Sequence, residues 1–392
     1  MRVLSAAATV GLAVLLAGCG NVNEPSSRTP PHAGGCRAEQ QVPGMAWAGP
    51  GALTGVQFVS SQRGWVVGLS EILATSDGGR HWTIQLKGDL RLASVDFVDR
   101  SHGWAVGAQS LLVTTDGGSN WAALPEPCPA IRQVHFVSPE VGFAVAGGIG
   151  SFGAASPLAP LRRGVLLATG DGGRTWRRIS APADAQSVCF GTPRRGWLGA
   201  EGALFRTVDG GRSWQPTSAR VRSRAPNYPA LMTVQCAGAD GAWALAIGPG
   251  AASSQEPHVG FHAGPRGTKA IFAEQYFQNP GSGPHAQSPG SYAGPFSAIS
   301  PAVAAFIDWC AACGAGTAPW DLAVLRGTAL RREGNVMGLN TATGASFVSQ
   351  RQGWVTGEQI RSGPSGTARV TWRVVSTSDG GRTWHIVYTA DR

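Results

Sequence analysis

The chain has 392 residues, enough to bury a large core, and is rich in Gly (56), Pro (26) and Trp (14) with only 14% charged residues. This composition is typical of many short strands joined by tight turns and argues against a helical protein. The formal charge is +9, which would suit an anionic membrane surface or an acidic cell-wall polymer. No basic run interleaved with aromatic residues indicates nucleic-acid binding, and GC-rich codon usage is the simplest source of the arginines.

Residues 1–18 are predicted to be a lipoprotein export signal. One positive charge is followed by about fifteen apolar residues, a length too short for a transmembrane helix. The segment Leu16-Ala17-Gly18-Cys19 resembles the bacterial lipobox. In that family the signal is removed before the cysteine, which then carries acyl chains that anchor the protein to the membrane. An ordinary signal peptide with an incidental cysteine is the alternative.

Residues 19–50 are polar and rich in proline, without a pattern that builds a core. We expect them to form a tether that lifts the folded domain, residues 51–392, off the membrane. Lipidation at Cys19 places the domain on the outer face of the bacterial cytoplasmic membrane.

Internal repeats determine the expected fold of residues 51–392. A segment fitting Ser/Thr-x-Asp-x-Gly-x-x-Trp occurs five times, with its aspartates at Asp77, Asp116, Asp171, Asp209 and Asp379. This motif is the Asp-box, also called the bacterial neuraminidase repeat. About a dozen residues before each box come an apolar strand, a polar turn and Gly-Trp or a variant. This segment, which we call the second mark, lies at 56–65, 95–104, 134–143, 188–197, 234–243 and 345–354.

Residues 300–307 supply a seventh copy of the second mark, so the domain divides into seven units. A unit of about 49 residues is a propeller-blade length. We therefore predict an all-β fold, a single seven-bladed β-propeller of four-stranded antiparallel blades. In the first repeat the strands are expected at about 55–59, 65–69, 72–76 and 81–86, with the box as the last hairpin. Blades five and six lack the box.

The box residues suit a hairpin better than a catalytic or metal site. The carboxylate accepts hydrogen bonds from its own turn, the glycines allow positive φ, and the tryptophan is expected to be a large buried anchor. Repetition on every blade is the mark of a structural element, so we expect no catalytic residue, metal or cofactor at the boxes.

The turns between strands one and two and between strands three and four share one face, and all are short. The opposite face holds the insertions, between strands two and three (147–163, 248–257, 310–319 and 358–368) and between blades (125–130, 217–229 and 279–295). Because binding is usually built from variable loops on a rigid scaffold, this face is the expected working surface. Its candidate residues are Arg162, Arg163, Arg220, Arg222, Arg224, Tyr228, Tyr292 and Arg361.

Six cysteines besides Cys19 suggest disulfides in an exported protein. Cys189 and Cys236 lie on the first strands of adjacent blades and are expected to face one another. Cys310 and Cys313 are expected to form a local bridge, which leaves Cys36 with Cys128. Redox chemistry at Cys310 and Cys313 is the alternative.

The combination of Gly-Trp with Thr-x-Asp-Gly-Gly-x-x-Trp resembles the Asp-box propellers of the photosystem II assembly-factor type. The resemblance covers residues 51–392 and implies a seven-bladed, exported, non-enzymatic assembly protein. We expect a monomeric binding or scaffold module whose partner is a protein or a cell-wall or glycan ligand.

Sialidases share the Asp-box, and a glycan-active or glycan-binding protein is therefore the alternative. Sialidases need an arginine triad, an Arg-Ile-Pro element and a Tyr/Glu pair that forms the nucleophile. Only Arg28-Thr-Pro30 is similar to the element, and it lies in the tether. Tyr388 is predicted on an outer strand. Asp-box xyloglucanases need two propellers flanking a cleft, and only one is predicted here.

Overall fold

The structure, a computed structural model, describes thirteen parts of the chain. They are residues 51–107, 110–125, 127, 131–147, 164–221, 230–248, 258–273, 286–287, 292–309, 320–326, 329–336, 338–362 and 368–390. The signal segment, the tether and Cys19 lie outside these residues. The described residues form seven sheets, which we number as blades 1 to 7 in chain order.

The blades are built from strands that follow one another along the chain. Blades 1 and 2 contain β1 (Leu53–Phe58), β2 (Gly64–Gly68), β3 (Glu71–Thr75), β4 (Thr83–Lys87), β5 (Leu92–Phe97), β6 (Gly103–Gly107), β7 (Ser110–Thr114) and β8 (Ala122–Ala123). Blades 3 and 4 contain β9 (Ile131–Phe136), β10 (Gly142–Ala146), β11 (Val165–Thr169), β12 (Arg177–Ile179), β13 (Ala185–Phe190), β14 (Gly196–Ala200), β15 (Ala203–Thr207) and β16 (Gln215–Arg220).

The last three blades have longer strands. Blade 5 contains β17 (Leu231–Ala237), β18 (Gly241–Ile247), β19 (His258–Gly264), β20 (Gly267–Ala273) and β21 (Ala286–Gln287). Blades 6 and 7 contain β22 (Tyr292–Ser300), β23 (Val303–Trp309), β24 (Trp320–Arg326), β25 (Ala329–Val336), β26 (Thr341–Phe347), β27 (Gly353–Ser362), β28 (Ala368–Thr377) and β29 (His385–Ala390).

The structure confirms the seven-bladed all-β propeller, with one departure from four strands. In blade 5 the short strand β21 adds outside β20 and pairs with it in parallel. The four-strand pattern follows from burial: β2 and β3 are buried along their whole length, whereas β4 is largely exposed. Strands covered by a neighbouring blade on each face are expected to be mainly apolar, as β2 is throughout, whereas β3 is apolar at its centre and buries Glu71 and Thr75 at its ends.

Aromatic rings join neighbouring blades at the second strand. Trp65 of blade 1 stacks on Phe97 of blade 2, with ring centroids 3.4 Å apart. Its indole N–H donates to the carbonyl oxygen of Gly117, in the box of blade 2, at 3.1 Å. Glycine precedes the tryptophan because a Cβ at Gly64 would lie 2.5 Å from the ring of Phe58. The Gly-Trp pair thus makes room within its own blade and reaches into the next one.

The same contact recurs around the ring. Trp104 stacks on Phe136 and Trp354 stacks on Phe58, each at 3.5 Å. Their indoles donate to the box glycines Gly172 and Gly78 of the next blade, at 2.9 and 3.0 Å. A stacked pair of this kind contributes about 0.5–1.5 kcal/mol beyond the burial of its area. The boxes therefore help to join blades, a role that the sequence did not indicate.

Side chains on the innermost strands bind the backbone of the following blade. The N–H of Phe97 donates to Gln57 Oε1 at 2.5 Å, and Gln57 Nε2 donates to the carbonyl oxygen of Phe97 at 3.3 Å. The other six interfaces use Asp96, Gln133, Ser187, Gln235, Ser297 and Ser346. Because an innermost strand has no strand on its inner edge, these bonds supply partners for edge groups.

All described strands of each sheet come from one stretch of chain, so none of them is exchanged between blades 7 and 1. The ring is closed by side-chain contacts between these two blades. Thr343 Oγ1 donates to the carbonyl oxygen of Leu53 at 2.7 Å, and the Tyr388 hydroxyl donates to Glu71 Oε1 at 3.0 Å. With the Trp354–Phe58 stack, these contacts make up the ring-closing seam.

The boxes and the turns between strands one and two share one face of the ring, as the sequence predicts. Each box touches the turn between strands one and two of its own blade, as where the N–H of Gly78 donates to the carbonyl oxygen of Gln62 at 2.8 Å. We call this side the Asp-box face and the opposite side the loop face. No helix in the described part of the chain has the length and apolar character of a membrane span.

Candidate functional site

The five boxes share one hydrogen-bonded geometry. In the first, Thr75 Oγ1 donates to Asp77 Oδ1 and accepts from the N–H of Gly79, both at 2.9 Å. The N–H of His81 donates to the same carboxylate oxygen at 2.9 Å. Gly78 and Gly79 have φ of 79° and 92°, the left-handed region that glycine adopts without a Cβ clash. The corresponding threonine and aspartate bond alike in the other four boxes.

The second carboxylate oxygen of each box is occupied as well. Asp116 Oδ2 accepts from Asn120 Nδ2 at 2.7 Å. Hydrogen bonds from the side chain and backbone of Asn120 lower the pKa of Asp116 to about 2. Bonds from the fourth residue after the aspartate also lower the pKa of Asp77, Asp209 and Asp379. Carboxylates engaged in this way by their own turn support the structural role.

The prediction that the box tryptophan is the large buried anchor is wrong. The tryptophan of the Gly-Trp pair takes that role. Trp82 is half-buried and lies edge-on to Phe58, with ring centroids 6.1 Å apart. The tryptophans of the Gly-Trp pairs, such as Trp65 and Trp104, are fully buried instead. Each box tryptophan directly precedes the outer strand of its blade and is half-buried.

On the loop face the structure describes few of the predicted binding residues. Arg220 ends β16 and Arg361 lies near the end of β27, and both are exposed on this face. Tyr292 begins β22, but its side chain is outside the described residues. Outside them altogether lie Arg162, Arg163, Arg222, Arg224 and Tyr228.

One predicted loop insertion is regular structure instead. The segment 358–368 was expected to be an irregular connection, but β27 runs to Ser362 and β28 resumes at Ala368. The two strands pair over ten positions, from Gly353 with Thr377 to Ser362 with Ala368. Strands two and three of blades 1 to 4 have five residues each. Blade 7 therefore extends a two-stranded arm from the loop face, described at residues 359–362 and 368–371.

The interface between blades 4 and 5 carries the disulfide expected from the sequence. Cys189 on β13 and Cys236 on β17 are bonded, with their Cα atoms 5.5 Å apart. Cys236 stands where Phe97 stands in blade 2, two residues after the first-strand valine. Trp197 of blade 4 lies under the guanidinium of Arg206, 5.7 Å from the ring centroid. Cys36, Cys128, Cys310 and Cys313 lie outside the described residues.

Buried ionisable groups occur at two blade interfaces. His258 and Asp308, both buried, lie with Nε2 and Oδ2 3.9 Å apart between blades 5 and 6. At the ring-closing seam the buried Glu71 accepts from Tyr388, which lies on the outer strand β29 as predicted. Tyr388 also lies edge-on to Trp82, with ring centroids 6.2 Å apart. This Tyr/Glu pair is packed between two blades rather than at the central channel.

Two further charged groups line the inner strands. Burial raises the pKa of Asp96, although the positive field of His135 opposes the shift. Burial lowers the pKa of Arg132 to about 10, and its Nε donates to the carbonyl oxygen of Gly147. Among the described residues, no group of three or more His, Cys, Asp or Glu side chains is arranged to hold a metal ion.

Comparison with known proteins supports the family resemblance. The sequence profile described as photosynthesis system II assembly factor YCF48 matches residues 49–127 and 83–185. The two matches overlap and together correspond to blades 1 to 3. No curated protein matches the sequence.

Solved structures share the fold at very low identity. The GH74 enzyme of Niastella koreensis is 9% identical with a TM-score of 0.54, and the match covers 86% of this chain and 66% of that one. An ancestral GH74 enzyme is 13% identical with a TM-score of 0.50, over 85% of this chain and 54% of its own. A chain of the mitotic checkpoint complex is 9% identical with a TM-score of 0.50, over 93% and 98%. These likenesses establish a propeller and no activity.

Proposed function

We propose that this protein is a non-catalytic, extracytoplasmic binding or scaffold module that engages its partner through the loop face. The observation that carries the proposal is the difference between the two faces. On the Asp-box face the turns are short and the box carboxylates are bonded within their own turns. The longer connections and the arm of blade 7 lie on the loop face, on a rigid ring, which is the usual arrangement of a binding surface.

The position of the first strand supports a membrane-proximal partner. β1 begins at Leu53 on the loop face, close to the turn between β2 and β3, where the N–H of Leu69 donates to the carbonyl oxygen of Ala52 at 3.0 Å. If Cys19 is lipidated, the tether joins the domain on this face. Attachment on this face keeps the loop face near the bilayer, where a protein under assembly or a cell-wall ligand is within reach.

Site-specific crosslinking in cells tests the proposal. A photo-crosslinking residue in place of Arg220 or Arg361 is expected to capture a discrete partner, identified by mass spectrometry. The matched controls replace Arg80 and Arg212, which are equally exposed but lie on the Asp-box face. Capture only from the control positions would overturn the proposal.

Loop exchange provides a second test. Short Gly-Ser turns in place of residues 147–163 and 279–295 are expected to abolish capture of the partner while the domain keeps its β-sheet circular dichroism. Capture that persists after both exchanges would place the binding surface elsewhere.

A glycan-active protein of the sialidase-like type is the second candidate, and the Tyr388–Glu71 pair is the observation that favours it. A hydrogen-bonded tyrosine and glutamate are the nucleophile arrangement of that resemblance. Turnover of a fluorogenic sialoside, lost in Tyr388→Phe, would support the enzyme, whereas retention on a glycan array without turnover would support a lectin-like module. We expect no turnover, because Glu71 is buried in the ring-closing seam.

A further inference from the structure

The arm of blade 7 is a two-stranded ribbon without neighbouring strands. β26 begins opposite Glu358, and β29 ends opposite Trp372. Beyond these points four residue pairs, from Gln359 with Thr371 to Ser362 with Ala368, have no strand on either side among the described residues. An edge strand exposes backbone N–H and C=O groups that another chain can pair with.

The two edges of the arm differ in how they are protected. On the β27 edge the N–H of Ile360 donates to Asn340 Oδ1 at 2.7 Å, so a side chain already occupies that donor. No hydrogen bond of this kind from the described residues reaches the β28 edge at residues 369–371. Within the described part of the chain, the β28 edge is therefore the one open to pairing, through the N–H and C=O of Val370, whereas those of Arg369 and Thr371 face β27.

One face of the arm collects positive charge. Arg361 and Arg369 are directly opposite each other across the two strands, and Arg373 lies on the same face four residues after Arg369. Like charges at directly opposite positions destabilise a β-ribbon. Burial and the charge of Arg361 both lower the pKa of Arg373. The sequence from 359 to 373 contains these three arginines and no acidic residue.

These arginines have no carboxylate partner within the described part of the chain. None of the three lies within 4.0 Å of a described carboxylate oxygen. Arg373 donates one hydrogen bond, to the carbonyl oxygen of Gly338 at 3.4 Å, and its buried Nε has no acceptor. A guanidinium binds carboxylates with paired N–H donors, so the face is suited to an anionic ligand.

The opposite face of the arm is apolar. Ile360, which alternates with Arg361, is 43% exposed, and Val370 lies directly across from it. Both stand in line with the buried Trp372, at the top of the core shared with blade 1. An added strand would meet arginines on one side of its plane and aliphatic side chains on the other, because side chains alternate along a strand.

We propose that the β28 edge of the arm captures an extended acidic segment of a partner protein by strand addition. Backbone hydrogen bonds to the outward-facing N–H and C=O of Val370 hold the segment, its carboxylates pair with Arg361, Arg369 and Arg373, and its apolar residues cover Ile360 and Val370. Strand addition of this type takes affinity from the main chain and specificity from alternate side chains. The inference rests on the proposed function and names the chemistry of the partner at the loop face.

Peptide binding to the whole protein tests the inference. The probe is a fluorescently labelled octapeptide of alternating Glu and Val, and its binding is followed by anisotropy. Two matched peptides serve as controls, one with Lys in place of Glu and one with N-methyl groups on alternate residues, which keeps the charges but removes backbone donors. We expect binding of the first peptide only. Equal binding of the N-methylated peptide, or no binding of any peptide at millimolar concentration, would overturn strand addition.

The double variant Arg361→Gln with Arg369→Gln tests the charges. It is expected to weaken binding of the Glu-Val peptide at least ~10-fold, since two charge-assisted contacts are lost. Its melting temperature is expected to equal or exceed that of the parent, because the variant relieves a like-charge pair. Unchanged affinity, or a fall in melting temperature that accounts for the lost binding, would show that the arginines serve only the fold.

The outcomes separate this inference from the proposed function. If crosslinking from position 220 captures a partner equally well in the parent and in the double arginine variant, the arm inference fails and the proposed function stands. If the peptide binds the arm but loop-face crosslinking finds nothing, strand addition stands and the proposed function fails.

Discussion

Two blade interfaces solve the same packing problem with different chemistry. Between blades 1 and 2, Trp65 stacks on Phe97 and donates its indole N–H to the Asp-box of blade 2. Between blades 4 and 5, Trp197 meets a blade in which Cys236 replaces the phenylalanine, and a short hairpin of β19 and β20 replaces the box. There the disulfide to Cys189 joins the inner strands covalently.

The comparison shows that the box and the aromatic stack act together. Blade 5 lacks the box and the phenylalanine on which the preceding tryptophan would stack, and Cys236, at the position of that phenylalanine, is bonded to Cys189. Ser187 and Gln186 keep the side-chain bonds to the following backbone, with Val234 and Met232 as partners. The side-chain hydrogen bonds from the innermost strands are therefore present at both interfaces. The aromatic contacts at the second strand are what differ between them.

Removing the aromatic layer is expected to have the largest effect. Trp65→Ala should lower the free energy of unfolding by about 3–5 kcal/mol, because it leaves a large cavity and breaks the link to the box. Trp65→Phe keeps a ring on Phe97 and should cost only about 1 kcal/mol, since Gln85 Nε2 also donates to the carbonyl oxygen of Gly117. Urea unfolding followed by circular dichroism measures both, and equal losses would mean that the stack contributes little.

Removing the covalent link should have the next largest effect. Cys189→Ser with Cys236→Ser is expected to lower the free energy of unfolding by about 2–4 kcal/mol, because the bridge constrains a long segment of the unfolded chain. Reductant should lower the melting temperature of the parent and leave that of the double variant unchanged. A parent that is insensitive to full reduction would contradict the prediction.

A rebuilding experiment sharpens the same point. Cys189→Gln with Cys236→Phe restores the Val-Gln-Phe pattern of blade 1 at this interface. If the aromatic layer and the disulfide are alternatives, this variant should unfold at a higher temperature than the double serine variant. A lower melting temperature would mean that Trp197, held under Arg206, has no room for a ring.

The smallest expected effect is the pH dependence of the boxes. The pKa of Asp116 is about 2 in the folded protein, below the value of about 3.9 in an unfolded chain. A depressed carboxyl pKa stabilises the fold above the unfolded pKa, and this contribution is lost as the pH falls from about 5 to about 2. Asp116→Asn should therefore lower the melting temperature at pH 7 and flatten its decline over that interval. Parallel pH profiles for parent and variant would contradict this.

Much of this architecture could be predicted because each blade is encoded by a repeat of the same sequence pattern. Valine, phenylalanine, Gly-Trp and the box recur at fixed positions, so strand order, the two faces and the Cys189–Cys236 pairing follow from the spacing. The sequence could not predict that Trp65 is fully buried and Trp82 only half-buried. Both side chains are large, and only the packing of adjacent blades decides which one is enclosed. Likewise, the sequence could not predict that Arg361 lies directly opposite Arg369, because this depends on the register of β27 and β28.

The side-chain seam between blades 7 and 1 has a consequence for how the molecule is made. Every blade is complete as soon as its own stretch of chain has emerged, and each new blade docks on its predecessor. Among the described residues, the seam joins the most distant positions, such as Tyr388 and Glu71, which are separated by 317 positions. Closing a loop of that length at once would cost about 5 kcal/mol in chain entropy. Docking one blade at a time divides this entropy cost into short steps. When the last blade docks, the curvature of the ring has already brought blades 1 and 7 together.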